Sequence, residues 1–512
     1  MQLNIFRIDP RQFSALKARL RKNGYRKTAT VEQSGWSGSF HFTEAPNPKT
    51  PKWIDTFSTF LPDKKYRTLN FGGTLLLKKD SYIFATSFGK AHFSIRPYCD
   101  YDFGIELAKR IGNPDDITQT SSRKYQGPQK RDITSYTSNS PLNIAPGSSV
   151  DFIQGRIIEN EQPTFGKTAK FGTSALLHPE ISTGEIGTFL DSVTKSLGGQ
   201  ERFKLPRTLI LTEDDEIKKY DQLLIQELKK DSDESILTAD TFELFGVDFI
   251  FNSSGDFQLK SGNRKAIDLD RITIKDIKEY FAEKDLSDRE ILNLKVTERR
   301  DDGQEIERRL KDAVDFICED EPVALSAGRW LRFNEDYLDE LNRAIDNIPT
   351  EETEPEFQRV YSWEDEFNKS LEAHDYEVLD KNFGVIKTKS ETPVEAWDLK
   401  KGPTVYAVKF GTAQKLNYVV DQATATIEII GNYASTTEVP EFSNYCLWLG
   451  YRGQKPIRKL SNSRSIILKQ KIEYWARNCR TRGIKPVLKL SQKLDPEHDV
   501  AVSKGENMTP VD

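Results

Sequence analysis

The 512-residue sequence is short of cysteine and histidine and has no long apolar run, and each shortage removes a class of protein. Its four cysteines, Cys99, Cys318, Cys446 and Cys479, are far apart and form no CxxC pair. Neither a disulfide framework nor a thiolate zinc site is expected, and a reducing cytoplasm is the expected location. The five histidines, His41, His92, His178, His374 and His498, make no HxH, HxxxH or HExxH spacing, so a histidine metal centre has no motif. GxSxG and GxGxxG are both missing. "FGKT" at 165–168 resembles the end of a P-loop, but Glu161 stands where the first glycine belongs. "KFGT" occurs twice, at 170–173 and 409–412, and is too short to define a repeat. No stretch approaches the ~18 apolar residues that span a bilayer. The start, "MQLNIFRIDPR", lacks the apolar core of a secretory signal. No membrane association is expected.

What the sequence does have is charge. Hydrophobic residues make up 37% and charged residues 30%, enough for packed cores under a strongly solvated exterior. The net charge of -5 hides a polarity along the chain. Residues 335–380 hold sixteen acids against three bases, whereas 452–493 hold thirteen bases against one acid, Glu473. The N-terminus is basic too, through Arg7, Arg11, Lys17, Arg19, Arg21, Lys22, Arg26 and Lys27.

The expected fold class is α+β and multidomain, with antiparallel and mixed sheets and amphipathic helices. "QLNIFRI" reads as a strand, Asp9 as a cap with Pro10 behind it, and Phe13, Leu16 and Leu20 as one helix face ending at Asn23-Gly24. "TLLLKK", "YIFATSF" and "AHFSI" read as strands, and 119–150 as a long polar loop inside an N-terminal domain spanning 1–155. Within that loop Arg123, Lys124, Lys130 and Arg131 are candidate phosphate contacts, against the plainer reading of a solvated linker. A central α+β domain is expected over 156–348, with "GVDFIF" and "DFQLK" as paired strands, and likewise "AVDFICED" and "PVALSAGRWLRF". "PTEETEPEFQRV" at 349–360 reads as a linker, 361–495 as a C-terminal α+β domain with a basic segment, and 496–512 as a disordered tail.

Two stretches carry chemistry. In "RSIILKQKIEYWARNCRTRG", Ile466, Ile467, Ile472, Trp475 and Cys479 form an apolar stripe. Lys469, Lys471, Arg477, Arg480 and Arg482 are candidate nucleic-acid contacts, able to neutralise phosphates and release counterions. The alternative is that this segment docks on the acidic stretch at 335–380 of the same chain, and both readings can hold together. The other stretch, "VEAWDLKKGPTVYAVKFGTAQKLNYVVDQ" at 394–422, reads as a β-hairpin followed by a helix. Asp380, Glu395 and Asp398 are candidate catalytic and Mg²⁺-binding carboxylates, and Lys409 is the candidate lysine facing a scissile phosphate. Their order resembles the PD-(D/E)xK nuclease pattern in degenerate form, with Gln422 as an accessory glutamine. The acid usually found two residues before the lysine is Ala407 here. Glu395 and Asp398 also fall on opposite faces of a regular strand. A four-residue turn at "KKGP" would place Asp398 and Lys409 ~13 Å apart.

"SYIFATSFGKAHFSI", "YDFGIELAKRIGNPDDI", "SAGRWLRFNEDYLDELNRAIDNI" and "VEAWDL" with "VYAVKFGTAQKLNYVVDQ" together resemble a sporadically distributed bacterial family of unknown function and similar length. The resemblance covers about residues 70–430. It implies a link to mobile elements or antiphage defence, and it matches Glu395, Asp398, Lys409 and Gly411 without giving them a chemistry. Position 407 is commonly histidine in that family and 397 commonly cysteine, against Ala407 and Trp397 here. The functional expectation is a cytoplasmic defence-type protein that acts on or senses nucleic acid, as a Mg²⁺-dependent nuclease. The alternative is a non-catalytic sensor or scaffold binding nucleic acid, a protein partner or a second copy of itself.

Overall fold

The computed structural model describes residues 1–43, 54, 56–62, 71–124, 131–137, 142, 144–229, 247–249, 256–269, 274–299, 305–318, 321–379 apart from Ala327, 386–387, 393–394, 396–433, 441–452 and 456–494. Its contacts divide the chain into two units, Met1–Leu209 and Ile210–Asp512.

The first unit is built on one antiparallel sheet. Its strands are β1 (Leu3–Arg7), β2 (Tyr25–Gln33), β3 (Trp36–Thr43), β4 (Gly72–Lys79), β5 (Tyr82–Gly89), β6 (Gly112–Lys124), β7 (Arg131–Ser135), β8 (Ser148–Ile157), β9 (Thr168–Phe171) and β10 (Ala175–Leu177). They lie in the order β2-β3-β4-β5-β1-β10-β9-β8-β6-β7. Alternation along β1 sends Leu3 and Ile5 to one core and Phe6 to another, as the two-residue period of a strand requires. Helix α1 (Phe13–Lys22) buries Leu16 and Leu20 on the Phe6 side. Helices α2 (Phe103–Ile111) and α3 (Ile186–Leu197) cover the other side with Phe103, Leu107, Phe189 and Leu190. Asp9 accepts the Arg11 N–H as expected of a cap, and Gly24 closes the helix at φ +84°.

Two expectations for this unit are corrected. "AHFSI" contributes a helical turn, His92–Ile95, because Ala91 and Ile95 are four apart and both buried while Phe93 between them is 68% exposed. Among the described residues of the polar stretch, 119–124, 131–135 and 148–150 are strand, with β6 and β7 paired from Gln119↔Ser135 to Arg123↔Arg131.

The second unit holds three larger sheets. Strands β11 (Thr208–Ile210), β12 (Val247–Phe249), β13 (Asp256–Lys260), β14 (Ile267–Leu269), β15 (Lys295–Arg299), β16 (Glu305–Arg309), β17 (Val314–Ile317), β18 (Val323–Ser326) and β19 (Arg329–Phe333) form two of them, ordered β11-β19-β18-β17-β12 and β14-β13-β15-β16. β17 pairs with β18 as expected, while "PVALSAGRWLRF" divides into two strands, β18 and β19, that pair with each other. "GVDFIF" and "DFQLK" do not pair with each other: β12 joins β17, and β13 sits between β14 and β15.

The third sheet carries the candidate site. It comprises β20 (Thr350–Glu351), β21 (Arg359–Val360), β22 (Glu377–Val378), β25 (Leu399–Lys401), β26 (Thr404–Gly411), β27 (Asn444–Arg452) and β28 (Lys485–Lys493), while β23 (Ile386–Lys387) and β24 (Pro393–Val394) pair apart from it. The order is β20-β28-β27-β26-β25-β22, with β21 also on β28. β26, β27 and β28 run parallel. The crossovers are α7 (Ala413–Tyr433), which continues through "TATIEII", and α8 (Ile466–Thr481). Both helices bury apolar faces in one core with Val405, Ala407, Leu447 and Leu449. A short helix, α6 (Glu364–Ser370), brings Phe367 to Phe410 and Trp448 in another core. Two other helices of the second unit, α4 (Asp214–Lys229) and α5 (Glu335–Asp346), precede it in the chain. The stretch expected as a linker, 349–360, is instead two strands lying parallel on β28, Thr350↔Leu488 and Arg359↔Gln492. The model is thus a multidomain α+β protein with antiparallel and mixed sheets.

Candidate functional site

The hairpin of β25 and β26 has a tighter turn than the composition suggests. Leu399 faces Tyr406 and Lys401 faces Thr404, so only Gly402 and Pro403 form the loop, with Gly402 at φ +56°. The register differs by two residues from that of a four-residue turn. Asp398 lies immediately before Leu399, the first paired residue of β25. The Asp398 N–H donates to the Tyr406 carbonyl at 2.9 Å, and its Oδ2 accepts the Val408 N–H at 2.6 Å.

Two residues further along the same edge of β26, the Phe410 N–H donates to Oε1 of Glu364 at 3.0 Å. Oε2 of Glu364 accepts from Nζ of Lys409 at 2.6 Å. Alternate amides of a strand point to the same side, so these two N–H groups lie ~7 Å apart. Asp398 and Glu364 therefore cap successive amides where β25 ends, and Lys409 lies between those amides in sequence. The Lys409–Glu364 pair keeps 29% and 25% of its side-chain surface in water. Glu364 is the first residue of α6, where a carboxylate is also favoured by the helix dipole.

Of the acids expected here, Asp398 reaches β26, whereas Asp380 and Glu395 lie outside the described residues. Glu364 was not among the sequence candidates. Its only local signal is the acidic first turn "WEDEF" of a helix 45 residues before Lys409.

The basic segment is engaged largely within its own chain. Lys469 is 5% exposed and donates to Oδ1 of Asn342 on α5 at 2.9 Å, and burial lowers its pKa. Lys471 pairs with Asp421 of α7. Arg477 pairs with Glu473 at 3.1 Å and lies over the Tyr474 ring. Arg482 donates to the Asn478 carbonyl at 3.4 Å, while Arg480 is exposed. Contacts with the acidic stretch include Gln470 to Tyr337 and Lys459 to Asp346. At the other end of the chain no ion pair involves Arg19, Arg21, Lys22 or Lys27 among the described residues. Of the loop cations, Arg123 pairs with Asp151 at 3.4 Å, and Lys130 lies outside the described residues.

A buried lysine holds the strands that lead to Glu364. Lys489 of β28 has no exposed side-chain surface and lies 2.7 Å from Glu351 and 2.8 Å from Glu354. It also donates to the Tyr376 hydroxyl at 3.1 Å and sits 4.3 Å from the Trp448 ring centroid. Burial opposes its charge, but hydrogen bonds to Glu351, Glu354 and Tyr376 outweigh this and raise its pKa. Burial likewise works against the Glu354 carboxylate, and Lys489 more than reverses it, leaving that pKa low.

Fold and site together define a multidomain α+β protein with an acid–lysine cluster on β26 of a mixed sheet, beyond the end of β25. The chain belongs to a family of unknown function, DUF6119, whose model matches residues 3–439. No curated protein and no solved structure matches it. Among the described residues, no helix is long and apolar enough to cross a membrane.

Proposed function

We propose that the chain acts on nucleic acid as a metal-dependent nuclease centred on Asp398, Glu364 and Lys409. The observation that supports this most is the pair of carboxylates capping the Val408 and Phe410 amides, with Lys409 on the residue between. Glu364 stands on α6, Asp398 just before β25 and Lys409 on β26, which runs parallel to β27. Mg²⁺ commonly takes one or two carboxylates and fills its remaining positions with water and phosphate oxygens. Asp398 and Glu364 are carboxylates of that kind, each bound to a β26 amide, and no group of three or more His, Cys, Asp or Glu side chains gathers among the described residues. A bound Mg²⁺ would supply charge neutralisation at the phosphate and a more acidic water. Lys409, turned from Glu364, places its ammonium where negative charge develops on the phosphate.

Purified protein is expected to cut DNA or RNA only with a divalent metal, and Lys409→Ala is expected to abolish cutting. Full activity in that variant refutes the assignment. Antiphage defence, the setting implied by the resemblance, belongs to the same reading and is tested by phage challenge of cells carrying the Lys409→Ala chain.

A second reading, a non-catalytic nucleic-acid-binding sensor, is favoured by the cations of α1 and β2 that make no ion pair among the described residues. In the same assay it gives salt-sensitive binding with no turnover at any metal concentration.

A further inference from the structure

Between Asp9 and Glu32 the chain carries seven lysines and arginines and no acid. Three of them gather on one buried histidine. His41 of β3 is 8% exposed and stands directly opposite Lys27 of β2 on one side and Thr74 of β4 on the other. Directly opposed residues share a face of the sheet. Tyr25, two residues before Lys27, puts that face under α1 with Leu16 and Leu20. Lys17 and Arg21, four apart, share one side of that helix. Burial, then the charges of Lys27, Arg21 and Lys17, holds the His41 pKa below its ordinary value. The imidazole is therefore neutral at neutral pH, and no carboxylate is among the charges that act on it. Among the described residues Lys17, Arg21 and Lys27 have no ion pair.

The strands beneath are unsatisfied as well. Nε2 of His41 meets the Ser39 hydroxyl at 2.9 Å, but its Nδ1 is buried without a partner, and so is the hydroxyl of the fully buried Thr74. Orphaned polar atoms and crowded like charges are both costly, and one anion relieves both. Neither atom has a hydrogen bond to give up in turning to it. A carboxylate leaves two of the three positive charges unbalanced. A phosphate group carries close to two negative charges at pH 7 and has several strong acceptor oxygens, for which arginine and lysine are usual partners. We propose that Lys17, Arg21 and Lys27 bind a phosphate group over His41 and Thr74, either free phosphate or the terminal phosphate of a larger molecule. The site draws on the cations behind the nucleic-acid-binding reading but depends neither on that reading nor on the nuclease, because its ligand is one dianion and not a polymer.

The test titrates the full chain with inorganic phosphate, adenosine 5′-monophosphate and oligo(dT) lacking a terminal phosphate, at constant ionic strength. Binding is read by calorimetry and by the imidazole NMR signals of histidine-labelled protein, with the His41 signal assigned by its loss in His41→Gln. Phosphate is expected to bind saturably, to shift that signal and to raise its apparent pKa, because the anion offsets the surrounding cations. Arg21 and Lys27 are exposed, so Arg21→Ala and Lys27→Ala leave the core intact and should each weaken binding about 10-fold, the loss of one charge-assisted hydrogen bond. Lys218→Ala, at an exposed lysine of α4, should leave it unchanged. Tighter binding of the monophosphate assigns the group to a larger molecule, and equal or weaker binding assigns the free ion. Failure of both small ligands to bind overturns the proposal, as does binding unaffected by Arg21→Ala and Lys27→Ala. An equal His41 shift with chloride alone overturns it too. Binding of the oligonucleotide while both small ligands fail removes the phosphate site and leaves the cations to a polymer.

Discussion

Replacing Lys489 with methionine probes the contact on which the geometry at Glu364 depends. The side chains are similar in length, so the change removes the ammonium and leaves little cavity. Glu351 and Glu354 then face an apolar group, and the Tyr376 hydroxyl loses its donor. Breaking a buried ion pair by removing one partner costs about 3–5 kcal/mol. Here the low end applies, because Glu351 and Glu354 keep 33% and 32% of their side-chain surface in water and rehydrate in part. A loss of about 3 kcal/mol, set against an unfolding entropy of about 2.1 cal/mol/K per residue over 210–512, corresponds to a fall of about 5 °C in the melting temperature of this unit. Calorimetry should resolve it in the second unit's transition alone. Adding Glu351→Gln and Glu354→Gln to Lys489→Met removes the stranded charges and should recover about half of the loss. A melting temperature for Lys489→Met within 1 °C of the parent, or no recovery in the triple variant, refutes the reasoning. The metal-dependent cutting proposed above should fall with stability, since the strands pinned by Lys489 run directly into α6 and Glu364.

The same contact sets a pH window. The pKa of Glu354 is held below its ordinary value, so its stabilisation is complete above that value and is lost as pH falls through the depressed one. The pKa of Lys489 is raised, so its share is complete below the ordinary lysine value and is lost as pH rises through the elevated one. The stability of the parent relative to Lys489→Met should therefore be flat through neutral pH and shrink on both sides, and a difference independent of pH from 3 to 10 counts against it. All four cysteines are buried, and burial pushes the thiols of Cys318 and Cys479 up to about 12. Maleimide at pH 7.5 should leave the folded chain unlabelled and modify all four thiols in guanidinium. Rapid labelling of the native chain would show that a cysteine is accessible.

How far the sequence revealed this site depended on how local each determinant is. The first helix was readable because Asp9, Pro10 and Gly24 act within a few residues of one another. The hairpin's existence was readable too, but its register was not. Pro403 gives its carbonyl to the N–H groups of Ser443 and Asn444, so residues forty positions away help to fix the turn. β27 and β28 passed unnoticed for opposite reasons. "NYCLWLGYR" is buried on both faces and so lacks alternation. "KPVLKLSQK" looks solvent-facing only because Lys489 and Lys493 are buried through partners distant in sequence. Without those two strands the C-terminal region has no parallel core, and Glu364 has no reason to be near Lys409. The linker reading of 349–360 fails likewise: two of its acids, Glu351 and Glu354, are partners of a buried lysine.

The pairing of β20 and β21 with β28 also imposes an order of events. A ribosome makes the two short strands more than a hundred residues before their partner. Until Lys485–Lys493 emerges, Glu351 and Glu354 have no ammonium to meet, and α6 has no fixed platform from which Glu364 can reach Lys409. Domains generally fold as they are synthesised, yet this cluster has to wait for nearly the whole chain. A nascent or truncated product ending before β28 would thus carry every residue of the site and be unable to assemble it.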